Sequence, residues 1–363
     1  MSTTVSAPVP VTTAPSTPRD VAPRAHRFDI DLLRVLCSIG VIVCHSAGQF
    51  LNAVGREPGG GRPVYWVALA GDGLSRCAVP LFFAMAGWVV LCGAPPRDGA
   101  QVRGRLTRIV VPMAVWTAAY LVWQGTRETD FRAVLRPAYE SLFGSVQPAF
   151  HLWYLYAYVP VILALSLVAL VRGGQRPYGL AAAFVALALA PTLLNDVAGL
   201  FHGKSPGFAW DPSPYQLGYA AAGALLLALP PSVTTGRRRR LLWLAGGLSG
   251  WAAVTAYEHL VHYPSPYDGV FVPFLAGALL MALNRITVPV RLRPLLSRLG
   301  AAAFGAYLVH LMFLRALAPH LVRADAGWLG AAGLLALLVA GTVGLSFAAS
   351  LLWTRLGLSR WLG

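Results

Sequence analysis

Two ionisable residues, Arg34 and His45, lie eleven positions apart in an otherwise almost wholly apolar run. At about 100° of turn per residue, eleven steps of a helix return to within roughly 20° of the same face. At about 1.5 Å rise per residue, the two side chains are about 16 Å apart along the axis. Ionisable side chains are costly at membrane depth, so they tend to face a bundle interior or a water-filled cavity. A packing role is the alternative for a lone histidine, and the pairing with Arg34 favours a functional one.

The chemistry that this pair suggests is general-base catalysis beside an anion site. An imidazole can take a proton from an attacking hydroxyl at neutral pH, and such a base contributes roughly 10² to 10⁴ in rate. Arg34 near one membrane surface and His45 deep inside suit a donor with an anionic head and a long thin arm. Coenzyme A thioesters have that shape. Asp31, one turn before Arg34, is expected to orient it through an ion pair.

Three more arginines, Arg103, Arg105 and Arg108, precede a later apolar segment. Arg105 and Arg108 are three residues apart, so on a helix they occupy neighbouring positions on one side. Both guanidinium groups can then bind one phosphate, which arginine contacts bidentately. Arg103 fits an ordinary topology-determining charge equally well. The sequence therefore predicts that these arginines bind the phosphates of an acyl-CoA co-substrate.

The composition identifies the class of molecule that carries these residues. Of 363 residues, 56% are hydrophobic and 12% are charged, and the mean hydropathy is +0.60. Average soluble domains carry about 25% charged residues. The four cysteines lie in or at the ends of apolar stretches, which favours small buried residues over a disulfide framework. The chain is predicted to be an all-α integral membrane protein.

Ten apolar stretches predict a bundle of about ten transmembrane helices. Residues 1–27 are expected to form a disordered cytoplasmic tail and residues 28–363 a single transmembrane domain. The segment Val64 to Leu74 is a candidate interfacial helix. The ten stretches are Leu32 to Phe50, Cys77 to Ala94, Leu106 to Trp123, Phe150 to Val171, Tyr178 to Leu194, Tyr215 to Leu229, Leu241 to Leu260, Tyr267 to Leu283, Leu299 to Leu321, and Trp328 to Leu352.

The loop charges predict the orientation. Alternate loops hold 19 Lys and Arg on one side and 9 on the other, and the acidic residues divide 4 and 10 in the same order. By the positive-inside rule both termini are cytoplasmic. The net charge of +15 does not indicate nucleic-acid binding, because runs such as Arg237 to Arg240 fit anchors beside lipid headgroups. Arginine-heavy usage is compatible with a high-GC bacterium, so we expect a bacterial inner-membrane protein.

The remaining polar residues suggest weaker hypotheses. His151 and Trp153 open a stretch on the outer side, where they could line an acceptor pocket or an interfacial belt. Tyr307 and His310 share a helix face in the ninth stretch, for a site role or for packing. Glu258, His259 and His262 lack the His-Glu-x-x-His spacing of a metal site, and a solvated helix end is the better interpretation. We expect no metal.

The motifs resemble those of the membrane acyltransferase type three superfamily. Its opening helix carries Arg, ten residues, then His, as in Phe28 to Ser46. Four later segments match further motifs in the same order, so the resemblance spans nearly the whole chain. They are Ser75 to Gly87, Arg105 to Pro112, His151 to Leu155, and Gly300 to His310.

The resemblance implies a membrane enzyme that moves an acyl group, usually acetyl, from cytoplasmic acyl-CoA to a hydroxyl of a glycan, a lipid-linked sugar or a secondary metabolite. It also implies a catalytic His45, an essential Arg34, and Arg105 and Arg108 near the donor phosphates. Ala86 replaces the family's usual Ser. The nearest match is the short single-domain branch that acetylates surface polysaccharides. A transporter that uses His45 and Arg34 as a proton or anion site remains the alternative from another class.

Overall fold

The computed structural model describes residues 26–55, 62–126, 132–205 and 207–363. These residues form helices and no strands. The predicted disorder of the tail concerns residues outside this part, apart from His26 and Arg27. The α-helices are α1 (Phe28–Val54), α2 (Pro63–Ser75), α3 (Ala78–Trp88), α4 (Gly99–Gly125), α5 (Arg132–Glu140), α6 (Trp153–Arg172), α7 (Tyr178–Leu200), α8 (Pro214–Leu226), α9 (Pro231–Thr234), α10 (Arg237–Leu260), α11 (Phe271–Leu283), α12 (Arg293–Leu321), α13 (Trp328–Arg355) and α14 (Ser359–Leu362).

Among the described residues, seven helical segments are long and apolar enough to cross a membrane, which confirms a multi-pass helical membrane protein. The other three predicted stretches differ from these. They correspond to α8 and α11, with 13 residues each, and to α10, which begins with four arginines. The count of ten crossings therefore stays a prediction. The seven segments are Phe28–Val54, Pro63–Gly93, Gly99–Gly125, Phe150–Arg172, Tyr178–Leu200, Val290–Leu321 and Trp328–Arg355.

The first helix, α1, lies at the centre of the bundle and contacts α2, α3, α12 and α13. Its first turn contains Asp29 and Asp31, whose negative charge is favourable at a helix N-terminus. It ends before Gly55, which has a positive φ of 82°. This central position makes α1 the element that most directly places Arg34 and His45.

The interfacial assignment of Val64 to Leu74 is wrong, because α2 packs inside the bundle against α1, α10 and α13. Its buried residues include Tyr65, Leu69 and Asp72. A short turn at Arg76 and Cys77 joins it to α3, and the two helices form one apolar segment of 31 residues with the π-helical turn that follows. The predicted second stretch began at Cys77, whereas the apolar segment of the structure begins at Pro63 and includes α2.

Helices α3 and α8 approach so closely that only glycine fits at the contact. A Cβ atom at Gly87 would overlap the Ala220 carbonyl, and one at Gly223 would overlap the Ala84 carbonyl. Small residues allow such backbone contact between membrane helices, where dispersion forces supply much of the attraction. This contact fixes α3, which forms a wall of the site.

Helix α7 buries none of its 23 residues and contacts the bundle through α6. A helix that is apolar on all sides and packs against little protein is stable where lipid surrounds it.

Candidate active site

Three histidines, His45, His151 and His310, meet inside the bundle. They come from α1, from the 3₁₀ turn Phe150–Leu152 that precedes α6, and from α12. The His310 ring stacks on the His45 ring with centroids 5.2 Å apart, and it meets the His151 ring edge to face at 5.1 Å. The sequence predicted a role for each histidine, and the structure places the three in one cluster.

Backbone carbonyls fix the protonation pattern of two of these imidazoles. His310 Nδ1 lies 2.5 Å from the Tyr307 carbonyl oxygen, and His151 Nε2 lies 3.3 Å from that of Leu308. Because a carbonyl only accepts, these nitrogens carry the hydrogen of the neutral ring. His310 Nε2 and His151 Nδ1 are then hydrogen-bond acceptors, and both are buried with no partner in the described part of the chain.

His45 is arranged differently from the other two. Its ring is partly exposed and packs edge to face on Phe150 at 5.3 Å. No hydrogen bond joins its nitrogens to another residue within the described ranges. His151 and His310 each have one ring nitrogen bonded to a backbone carbonyl, whereas both nitrogens of His45 lack such a partner among the described residues.

Tyrosines hold the cluster in place. The Tyr307 hydroxyl donates to the His151 carbonyl at 2.5 Å, and the Tyr120 hydroxyl donates to the Leu308 carbonyl at 3.0 Å. These bonds join α4, α12 and the turn before α6. Tyr120 was not predicted from the sequence, because nothing in its neighbours distinguishes it from an ordinary tyrosine in an apolar helix.

A cavity of about 460 Å³ runs from the predicted phosphate-binding arginines towards this cluster. Arg34, Arg105 and Arg108 line it near the N-terminal parts of α1 and α4. Its walls include Phe82, Met85, Ala86, Val90, Ile109, Tyr154, Tyr158, Phe304 and Tyr307. Its lining is cationic at one end and aromatic or aliphatic beyond, which suits an anionic head followed by a thin apolar arm.

Tyr307 stands between this cavity and the histidines. It lines the cavity, whereas His45 does not. The His310 ring lies 5.8 Å from the Tyr307 ring, and the His45 ring lies beyond His310. The cavity that Arg34 lines therefore reaches Tyr307 and does not include His45 in its lining.

The structure separates the three loop arginines. Arg105 is half-buried, donates to the Ala94 carbonyl through Nη2, and has a buried Nη1 with no partner among the described residues. Arg108 is exposed and lines the same cavity. Arg103 is exposed and is not part of that lining.

Asp31 contacts Arg34 as the spacing suggested, with Nη1 3.3 Å from Oδ1. The Arg34 side chain is 40% exposed, so this pair is weak. Asp31 Oδ2 also accepts from Ser297 at 3.2 Å and contacts His26 Nε2 at 2.6 Å. Asp31 thus holds α12 against α1 as well as orienting Arg34.

A second cavity of about 710 Å³ adjoins Arg34 on its other side. Its lining includes Arg27, Trp88 and Arg285, and it shares Arg34 and Val89 with the first cavity. The Arg27 guanidinium stacks over the Trp88 ring at 5.1 Å. Arg34 therefore lies between two cavities that both carry positive charge.

A buried ionic cluster of Asp72, Arg76 and Glu258 lies beside the histidine helix. Arg76 Nε donates to Glu258 Oε1 at 2.9 Å, and Arg76 Nη2 pairs with Asp72. Cys44, the neighbour of His45, donates through Sγ to Asp72 Oδ1 at 3.2 Å. The sequence analysis did not select Asp72 or Arg76. The signal was present, because two ionisable residues four positions apart in an apolar segment are as costly as Arg34 and His45.

The expectation of a solvated Glu258 is wrong. Its side chain is fully buried against Arg76 and also accepts from the Ser265 backbone N–H at 3.1 Å. His259 instead contacts the Tyr65 hydroxyl at 3.0 Å, and His262 is exposed. Across the described ranges, no three His, Cys, Asp or Glu side chains are grouped as metal ligands.

Trp153, which the sequence analysis grouped with His151, makes its ring contact outside the histidine cluster. Its ring stacks on that of Tyr267, with centroids 5.8 Å apart. Ala86, where the family usually has Ser, lines the arginine-bearing cavity, so the hydroxyl that is missing from this chain would face that cavity.

The fold and these motifs define a polytopic membrane protein with an imidazole cluster beside a cationic cavity. The family model described as an acyltransferase domain matches residues 27–351. The chain belongs to this acyltransferase 3 family and is a membrane acyltransferase. No curated protein matches the chain in a direct comparison. No solved structure matches it either.

Proposed function

We propose that the protein is an O-acyltransferase that moves an acyl group, in the first instance acetyl, from cytoplasmic acyl-CoA to a hydroxyl of a cell-surface glycan or lipid-linked sugar. The observation that carries this proposal is the cavity that leads from Arg34, Arg105 and Arg108 to Tyr307 beside the histidine cluster. The CoA phosphates bind the arginines, and the pantetheine arm lies along the apolar walls. A tailored secondary metabolite is the other acceptor class to be tested.

The proposed chemistry is a direct transfer with His45 as the base. The imidazole takes the hydroxyl proton of the acceptor while the alkoxide oxygen attacks the thioester carbonyl carbon. The C–O bond forms, the C–S bond breaks, and the imidazolium returns its proton to the departing CoA thiolate. Because no proton is gained or lost overall, the reaction needs no proton exit.

Topology is part of the same proposal. We infer ten crossings with both termini in the cytoplasm of a bacterium, which places the arginine end of the cavity on the side where acyl-CoA is made. The loop charges support this orientation. Arg103 lies outside the cavity lining, so the proposed donor site does not include it.

The test is CoA release by purified protein with acetyl-CoA and a panel of hydroxyl acceptors, followed by chromatography. His45→Ala is expected to lower the rate by about 10² to 10⁴. His262→Ala, an exposed histidine outside the cluster, is the matched control and keeps full activity. An unchanged rate in a folded His45→Ala protein would rule out His45 as the base.

A further inference from the structure

A third cavity, mostly apolar and of about 360 Å³, lies between α3, α8 and α11. The proposed transfer reaction does not use it. Leu81, Ala84 and Leu280 are among its aliphatic lining residues. Its polar groups are the hydroxyls of Tyr215, Tyr219 and Tyr267 and the carboxylate of Asp268, and the Tyr219 hydroxyl already donates to the Tyr267 carbonyl. Small-ligand pockets span about 300–1,000 Å³ and combine apolar walls with few polar groups. The cavity thus has the size and lining of a site for an amphiphilic molecule.

The polar end of this cavity carries a row of three aromatic rings, Trp153, Tyr267 and Tyr215. The Tyr267 ring stacks with Trp153 at 5.8 Å and with Tyr215 at 6.4 Å, with interplanar angles of 29° and 18°. All three rings are only partly buried. Exposed aromatic surface packs against the C–H groups of a sugar ring, and the exposed Asp268 carboxylate can accept from its hydroxyls.

Two members of the aromatic row, Trp153 and Tyr267, are connected to the elements that carry the histidine cluster. Trp153 follows His151 by two residues. Tyr267 belongs to the loop whose Ser265 N–H donates to Glu258, the partner of Arg76. Through Asp72 and Cys44 the same ionic cluster reaches the neighbour of His45. A sugar on the row is therefore held by elements that also hold the catalytic imidazoles.

The cavity opens sideways, through the surface of α8. Gly218 and Ala222 line it and are exposed on that helix. The lipid-facing side of a bundle helix is where a hydrocarbon chain that stays in the bilayer would enter. A water-soluble polysaccharide has no hydrocarbon chain that could enter the cavity from the bilayer.

We propose that the acceptor is a sugar carried on a hydrocarbon chain, with the chain in this cavity and the sugar on the aromatic row. This inference rests on the proposed function, since it names the acceptor class of the same reaction. The occupant is an amphiphilic glycan, and a bilayer phospholipid is the competing occupant that the test distinguishes from it.

The probe is an alkyl glucoside with a photoreactive diazirine in its chain, added to the full protein in phospholipid nanodiscs. Crosslinked peptides are located by mass spectrometry. A phosphatidylethanolamine with the diazirine at the same depth is the comparison probe. The glucoside should label the segments around Leu81 and Leu280 severalfold more than the phospholipid does.

Two variants close the cavity, and one does not. Ala222→Trp and Gly218→Leu place side chains in the opening, and a Cβ at Gly218 meets nothing within 4 Å. Both should remove the glucoside labelling. Ala183→Trp, on the exposed surface of α7, should leave it unchanged.

Equal labelling by the two probes, which would mean a bilayer lipid only, overturns the proposal. Labelling that survives both cavity variants also overturns it. Acetyl-CoA binding, measured by calorimetry on each variant, keeps this test separate from the proposed function. Intact acetyl-CoA binding without preferential glucoside labelling rejects the acceptor site alone, and preferential labelling without CoA release rejects the transfer reaction alone.

Discussion

At the scale of residues, the three histidines differ in their hydrogen bonds to the backbone. His310 and His151 each commit one nitrogen to a backbone carbonyl, whereas no described residue bonds to the nitrogens of His45. The committed rings are fixed in orientation, and His310 packs flat against His45. An imidazole that is positioned by stacking keeps both nitrogens for the substrate. This geometry favours His45 as the base and the other two as residues that position it and the acceptor.

Arg105 should contribute to donor binding far more than Arg103 does. Arg105→Gln removes a charge whose Nη1 is buried at the cavity without a described partner, and a hydrogen bond to a charged group is worth about 1.5–3 kcal/mol. We expect the KM for acetyl-CoA to rise by about 10- to 100-fold, since about 1.4 kcal/mol is a factor of ten. Steady-state kinetics measure this.

The matched control for that prediction is Arg103→Gln, two residues away and exposed outside the cavity lining. It should leave the KM for acetyl-CoA unchanged. Equal effects of the two substitutions would show that the arginines act through general surface charge, and the donor site would then lie elsewhere.

Residue types and spacing selected His45, Arg34 and Arg105 as candidate site residues, because ionisable groups are rare in or beside apolar segments. Spacing could not predict that His151 and His310 share one cluster with His45, because their contact depends on how α1, α6 and α12 pack. Trp153 was selected for its place near His151. Residues two positions apart in helical structure point in nearly opposite directions, and the Trp153 ring contacts Tyr267 instead.

At the scale of elements, two contacts between helices determine the shape of the site. One is the glycine contact of α3 with α8, and the other is the buried ionic cluster that joins α2 to α10. The sequence predicted the long helices well, because a chain in lipid must satisfy its backbone hydrogen bonds within each segment. It placed the start of α3 within one residue but missed that α2 belongs to the same membrane segment. Asp72 and Arg76 interrupt the apolar run in the sequence, whereas in the structure they are buried in an ionic cluster with Glu258.

Gly223→Val should destabilise the protein strongly. The added side chain overlaps the Ala84 backbone, which cannot move without shifting α3. We expect a lower melting temperature and loss of monodisperse protein in detergent. Gly333→Val, at an exposed glycine of α13 where a Cβ meets nothing within 4 Å, is the control. Similar melting temperatures for the two variants would contradict the close packing of α3 and α8.

Arg76→Met should also lower the melting temperature. It leaves the carboxylates of Asp72 and Glu258 buried without their cation, and breaking a buried pair in this way costs about 3–5 kcal/mol. The triple variant with Asp72→Asn and Glu258→Gln removes both carboxylate charges and should recover much of the loss. Thermal unfolding followed by tryptophan fluorescence measures both.

The control for the ionic cluster is the exposed pair of Arg136 and Glu140 on α5, whose Nε and Oε1 atoms are 2.8 Å apart. Arg136→Ala should leave the melting temperature unchanged, because solvent screens an exposed pair. If Arg76→Met were equally harmless, the buried cluster would contribute nothing to stability.

At the scale of the whole molecule, the structure confirms a multi-pass helical bundle, and the loop charges predict its orientation. The short helices α8 and α11 have 13 residues each and span only about 20 Å at 1.5 Å per residue, which is less than the roughly 30 Å of a bilayer core. Their length does not show on which side each loop lies, so orientation needs a direct measurement.

Single cysteines introduced into a cysteine-free protein test the orientation. With the four native cysteines replaced, Ser359→Cys should react with an impermeant maleimide only from the cytoplasmic side. Lys204→Cys, in the exposed segment after α7, should react only from outside. Labelling of inverted and right-side-out vesicles measures both. Labelling of both positions from one side would exclude the proposed topology.

Because helix α7 is not buried, its sequence can vary more than that of the helices that form the site. Since it offers no side chain to the core, almost any apolar 23-mer could replace it without altering the imidazoles or the arginines. Its deletion is another matter, because the chain would then enter α8 from the opposite membrane face, and every later segment would be inverted. What is required of α7 is one passage through the lipid, whatever its sequence.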